Sequence, residues 1–346
     1  SELVAWRPSG GVLSLYLRIE PGDRSAKWRT ELRHGLEALQ ASGSDGEALR
    51  RSAARLKNDL DADPPHPDVR GLIAFVEIAH GAAEERWFAS RMPPRRTEVA
   101  AGSSARVGPL LQLLDAGGPL GVALVSGERV RLLAWEQGEL QELHSWELSY
   151  FADQWRERKA RRSDTARGDT VSASGHDRHQ RRLDDNRERF VEQAGKLASG
   201  AAASHAWTSL LVFGEERYAR RLGAGFNGVC PVRHGGDADL VGEPEAAIAP
   251  RIAEAVKALN RARELELIAS IRESAYTDGR SALDHDEVGQ CLAGGRVEHL
   301  VYDPGLPDAD RLVELALASG AALTPVEDEA AEALAESGGA IAQLRY

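Results

Sequence analysis

Val297-Glu298-His299-Leu300-Val301-Tyr302 is a strand-length run rich in β-branched and aromatic residues, and a regular sequence of segments follows it. Ala309 to Ala318 has helical spacing, Ala321-Ala322-Leu323-Thr324-Pro325-Val326 is again strand-like, Glu327 to Glu336 is helical, and Ile341 to Leu344 is apolar. Strand-length runs alternating with helix-length segments build an α/β layer, because each helix covers a face the sheet must bury. The last hundred residues therefore predict a small α/β sandwich, opened by a helix near Asp286 to Leu292. Upstream, Ile252, Val256, Leu259, Leu265, Ile268 and Ile271 mark one side of a long amphipathic helix. Pro244 and Pro250 bracket the boundary before it.

The same reading extends to the start of the chain. Gly11-Val12-Leu13-Ser14-Leu15-Tyr16-Leu17-Arg18-Ile19 predicts a buried strand closed by Pro21-Gly22-Asp23. Ser25 to about Leu60 reads as two helices broken at Ser42 to Gly46, and strands are expected at Gly71 to Ile78 and Arg86 to Ser90. Gly117-Gly118-Pro119 marks a hinge. Beyond it, residues 121–126 and 130–136 flank the turn signal Gly127-Glu128 as a hairpin, and a third strand spans Leu140 to Trp146. A charged stretch leads to a helix through Leu183, Phe190, Ala194 and Leu197, then a strand at Leu210 to Gly214, a helix, and a strand near Gly228-Val229-Cys230. The expected fold class is α/β: three α/β domains in a row, residues 1–115, 116–246 and 247–346, the middle one with a protruding basic loop at 156–189. No internal repeat is visible.

At 346 residues the chain exceeds what one core usually organises. It is 42% hydrophobic and 28% charged, and no apolar run approaches the ~20 residues of a membrane helix, so no membrane partner is expected. The opening Ser1-Glu2 has no basic-then-apolar leader and there are two cysteines, Cys230 and Cys291, which gives the expectation of a reducing cytoplasm. The formal net charge of -11 opposes wholesale binding to nucleic acid, and DNA is not an expected partner. Only five of the 43 basic residues are lysine, so a lone arginine carries little weight.

Residues 156–189 reverse the sign. Eleven Arg or Lys against seven Asp or Glu leave +4 there. Gly168-Asp169-Thr170-Val171-Ser172-Ala173-Ser174-Gly175, between the charged flanks, is too polar for core and poorly suited to helix, so an exposed, mobile tip is expected. Such a tip beside guanidinium groups can approach phosphate closely. A solvated loop whose arginines merely follow composition is the alternative.

Three regions resemble the archaeal and eukaryotic class I peptide-release-factor superfamily, with its bacterial members and Pelota branch: Val12 to Leu17; Ser174-Gly175-His176-Asp177-Arg178-His179-Gln180-Arg181-Arg182-Leu183 running into a helix with Phe190; and Gly294 to Asp303 with the ending Gly338 to Tyr346. In that family the middle domain carries a Gly-Gly-Gln tip that places water at the peptidyl-tRNA ester. This sequence contains no Gly-Gly-Gln, and Ser172-Ala173-Ser174 fall at about that place; it also lacks the Asn-Ile-Lys-Ser motif associated with stop-codon reading. The resemblance implies a factor that binds the ribosome and ribosomal RNA at the A site in rescue, stalling or hibernation, without stop-codon reading and without hydrolysis, together with a translational GTPase. Its RNA contacts would be Arg161, Arg162, Arg167, Arg178, His179, Arg181 and Arg182. Two alternatives stay open: peptidyl-tRNA hydrolysis with Ser172, Ser174 or His176 orienting water, and a stress-related interaction protein that has left the ribosome.

The remaining motifs are weaker. His176 and His179 flank Asp177, but nothing supplies further ligands, so no metal and no cofactor is expected. Gly223-Ala224-Gly225-Phe226-Asn227-Gly228 has phosphate-loop spacing but precedes its strand rather than following one, which favours a turn-rich connection. Asp284 and Asp286 read as helix caps.

Overall fold

The computed structural model describes residues 2–20, 27–41, 46–66, 68–79, 81, 83–148, 173–277 and 279–346. The chain divides into two compact units: Ser1–Gly117 with Val256–Tyr346, and Gly118–Ala255. Among the described residues the fold is mixed α/β with three sheets, two in the first unit and one in the second.

The first unit opens with the short helix α1 (Glu2–Ala5) and an antiparallel sheet of order β3-β2-β1-β4, formed by β1 (Val12–Arg18), β2 (Gly71–Glu77), β3 (Glu85–Ser90) and β4 (Glu98–Gly102). Strand β1 is apolar along its length because both its faces are covered. Leu13, Leu15 and Leu17 pack under α2 (Lys27–Ala41) and α3 (Glu47–Ala62), against Trp28, Leu32, Leu49 and Leu56. Val12 and Tyr16 face the other way. Each such buried aliphatic side chain contributes about 1.5–3 kcal/mol relative to exposure. The exception, Ser14, is buried but satisfied, since its hydroxyl accepts Arg106 N–H at 3.0 Å.

That second face meets α4 (Gly108–Ala116), whose Leu110, Leu111 and Leu113 enter one core with Val12, Tyr16, Ile73 and Phe75 and with residues near the end of the chain. These belong to the second sheet, of order β10-β13-β11-β12: β10 (Ser281–Ala282), β11 (Val297–Tyr302), β12 (Ala322–Pro325) and β13 (Ala340–Leu344). Strands β11 and β12 are parallel, and β13 is antiparallel to β11. Polar bridges accompany the shared core: Arg106 Nε lies 3.2 Å from Asp310, Gln112 donates to Glu327 at 3.2 Å, and Arg263 reaches both oxygens of Asp115 at 2.8 and 2.9 Å.

The second unit is a five-stranded sheet of order β7-β6-β5-β8-β9, comprising β5 (Leu120–Val125), β6 (Arg129–Glu136), β7 (Glu139–Glu147), β8 (Leu210–Phe213) and β9 (Val232–Gly236). Strands β5 to β7 form an antiparallel meander, while β5, β8 and β9 are parallel. The parallel crossovers carry α5 (Ala173–Ser204) and α6 (Glu216–Gly223). Arg131 is the buried charge of this sheet. It donates to Glu142 at 2.7 Å and to the carbonyls of Val241 and Glu243 at 3.3 and 2.6 Å.

Helix α7 (Glu245–Thr277) supplies residues to both units, and α8 (His285–Ala293), α9 (Ala309–Ser319) and α10 (Asp328–Leu334) complete the chain. Asp284 caps α8 by accepting from the amides of Asp286 and Glu287. Asp286 itself lies in the first turn, where its charge suits the helix dipole.

Several expectations change. Pro250 lies inside α7 rather than ahead of it; it removes one amide donor but leaves the rest of the turn helical. The strand expected at 228–230 is β9, at 232–236: Gly228 has φ +75° and the segment before β9 is turn. Strands β4 and β10 and helix α4 are additions to the sequence reading. No helix among the described residues is long and apolar enough to cross a membrane.

Candidate nucleic-acid interface

Helix α5 carries the only part of the basic stretch that lies among the described residues. Arg161, Arg162, Arg167 and Ser172 fall outside them. Ala173 to Arg182, expected as a loop tip and its basic flank, is helical, so the helix expected through Leu183 and Phe190 starts ten residues earlier. The reason is local: apart from Gly175, which costs about 1 kcal/mol, residues 173–189 contain no strong helix breaker, and Ala173, Gln180, Leu183 and the arginines are good formers. Ser174, His176, Arg178 and His179 thus occupy the first two turns of α5. Arg181 and Arg182 are exposed further along.

The packed side of α5 is set by Val191, Ala194, Ala198 and Ala202, which lie on Ala123, Val125, Val130, Leu132 and Val212 of the sheet. Small residues allow close approach. A Cβ on Gly195 would come within 2.4 Å of the Leu222 carbonyl oxygen, and one on Gly225 within 2.5 Å of the Gly195 carbonyl carbon. At 100° per residue, positions 178, 182, 185 and 189 share an arc of about 60° on the side opposite that packed side. Arg182, Asp185 and Arg189 on this arc are exposed. Successive arginine positions stand about 6 and 10.5 Å apart along the axis.

Other charges of the helix are engaged internally. Arg187, on the sheet side and 26% exposed, donates from Nη2 to Glu128 at 2.6 Å and lies 3.4 Å from Asp184. Glu188 pairs with Arg221 of α6 at 2.8 Å. Tyr218 completes the corner, with the Arg217 guanidinium 4.5 Å above its ring. Burial pushes the Tyr218 phenol up, so it stays neutral at physiological pH. Charge counting alone could not separate Arg187 from Arg189; the helical register does, because Arg189 repeats the side of Arg182 after seven residues.

The glycine-rich segment 223–228 lines a cavity of about 800 Å³ between α6 and β9, with Arg220, Asn227, Cys230 and His234 among its walls. Two of its glycines have packing roles, Gly223 meeting Val232 and Gly225 meeting α5, while Gly228 takes a positive φ. The segment follows the C-terminal end of a helix, where carbonyls point outward, so it lacks the amide cradle of a phosphate loop. Burial pushes the Cys230 thiol up, away from the reactive thiolate. No cluster of three or more metal-ligating side chains occurs among the described residues.

Residues 106–261 match the family described as bacterial archaeo-eukaryotic release factor family 10. This stretch holds α4, the whole second unit and the start of α7. No curated protein matches the chain. Among solved structures, the chain is similar to an archaeal translation termination factor, aRF1, at 19% identity over 100% of this chain and 95% of that one, with a TM-score of 0.29. It is also similar to Saccharomyces cerevisiae Dom34, described as a translation termination-like factor, at 10% identity over 80% and 79% with a TM-score of 0.43. Archaeoglobus fulgidus Pelota gives 17% identity over 80% and 79% with a TM-score of 0.38.

Proposed function

We propose that this protein, release-factor-like over residues 106–261, is a ribosome-associated factor that enters the A site and acts there in rescue, stalling or hibernation. The observation that carries the reading is the exposed arginine side of α5, displayed by the family-matched unit and directed away from its core. An overall charge of -11 keeps the body from binding RNA indiscriminately, and the local excess of arginine supplies attraction where the helix meets phosphate. Arg178, His179, Arg181 and Arg182 of α5, with Arg161, Arg162 and Arg167 ahead of it, are the proposed contacts to ribosomal RNA. A translational GTPase is the proposed second partner, on the family resemblance.

Hydrolysis is not part of the proposal. Neither Gly-Gly-Gln nor Asn-Ile-Lys-Ser occurs in the sequence, and Ser174 and His176 lie in regular helix rather than in the unusual backbone that positions a water in a release factor. Co-sedimentation with ribosomes at moderate salt tests the reading. The protein is expected in the ribosomal fraction, and its absence there in both growing and starved cells overturns the proposal. A peptide-release assay on stalled complexes is expected to show occupancy without release; release abolished by replacing residues 172–176 would establish the hydrolase instead.

A further inference from the structure

The corner that joins α5 to the β5–β6 turn contains more interactions than packing of the helix requires. Gly127 and Glu128 form that turn, which Ser126 closes by accepting the amides of Glu128 and Arg129 at 3.3 and 3.0 Å. Glu128 is thereby presented to Arg187, which it holds at 2.6 Å. Gly127 leaves the space the pair needs, because a Cβ there would lie 2.5 Å from the Tyr218 hydroxyl and 2.9 Å from Arg187 Cδ. Beyond this corner α5 continues back toward Ala173 for some fourteen residues, about 21 Å, while its packing on the sheet runs through Phe190, Val191, Ala194 and Ala198. The Glu188–Arg221 pair at 2.8 Å ties the same turn to α6, and the Arg187–Glu128 pair ties it to the β5–β6 turn, so the two together fix its azimuth.

We propose that Glu128 and Arg187 are positioning residues, with Gly127 as the clearance they require, that together set the direction in which the arginine-bearing start of α5 leaves the second unit. The proposal deepens the ribosome reading and rests on it for its biological purpose, while the positioning itself is measurable on the free protein. Arg187 is then no RNA contact: its charge is consumed in aiming Arg178, Arg181, Arg182 and Arg189. A charge-assisted pair of this kind is strong enough to bias a helix direction but weak enough that the unit folds without it.

Two substitutions reach the corner by different routes. Glu128→Gln removes the charge and keeps the shape; Gly127→Ala keeps every charge and displaces Arg187 and Tyr218. Hydrogen exchange of the amides from 181 to 189 in the full chain is expected to rise several-fold in both, with exchange at 191–202 unchanged. The exchanged pair Glu128→Arg with Arg187→Glu is expected to restore protection. Ribosome affinity is expected to fall about five- to tenfold in each single variant and to recover in the exchanged pair. Unchanged exchange at 181–189 in both variants, or no recovery in the exchanged pair, overturns the positioning role whatever the ribosome result. Raised exchange with recovery, in a protein that does not bind ribosomes even as wild type, upholds the positioning and overturns the functional reading.

Discussion

Arg131 and Arg182 show how differently one residue type can be used in an arginine-rich chain. Arg131 is 6% exposed and satisfies a carboxylate and two backbone carbonyls, so its truncation leaves several largely buried acceptors unpaired. Arg131→Ala is expected to cost about 3 kcal/mol, read as a lowered denaturant midpoint. Arg182 is exposed and contributes nothing comparable to the fold. Replacing Arg182 and Arg189 together by alanine is expected to leave the melting temperature within a degree or two while weakening ribosome binding. The slope of log affinity against log salt should fall by about one for each phosphate that is no longer neutralised. An altered affinity with an unaltered slope would place these arginines outside the interface.

Leu113 of α4 sits in the core shared by two sheets, so Leu113→Ala is expected to destabilise the first unit by about 2–5 kcal/mol, observable by thermal melting. On α7, burial pushes the Glu264 carboxyl up to about 7; the Glu327 amide partly offsets this, Asp115 and Glu327 add to it and Arg263 counters it. The folded state therefore holds a proton that the unfolded chain releases above about pH 4.5, and this contribution is full below that pH and lost as pH rises through 7. Glu264→Gln should accordingly stabilise the protein at pH 8, by on the order of 1 kcal/mol after solvent screening, and make little difference at pH 4; an equal effect at both would refute the assignment. Periodicity made most elements readable in the sequence: β1, the β5–β6 hairpin and the alternation after residue 285 all have long, strongly patterned runs. Helix α4 escaped because it is short and framed by Gly108-Pro109 and Gly117-Gly118, which read as loop. Strand β4, Glu-Val-Ala-Ala-Gly, has almost no β-formers and owes its state to pairing with β1. At the interface the sequence showed the basic stretch but not its division, since the roles of Arg187 and Arg189 depend on which side of α5 each residue occupies.

At the scale of the whole chain, three sheets are distributed over two compact units, and the first unit is built from both ends of the sequence. A fragment of residues 118–255 is expected to fold alone with a cooperative melting transition. Residues 1–117 alone are expected to aggregate or to bind a hydrophobic dye, because Val12, Tyr16, Ile73 and Phe75 would be deprived of the partners that the C-terminal residues provide. Independent, monomeric folding of 1–117 would contradict the shared core. The arrangement also imposes a timetable on biosynthesis. At ordinary elongation rates, roughly ten to forty-five seconds pass between the appearance of Gly117 and that of β13, and throughout this interval the nascent first sheet has one greasy side without a mate. The middle segment can complete its own structure meanwhile, so the bare side of the first sheet must be shielded until β13 has been made.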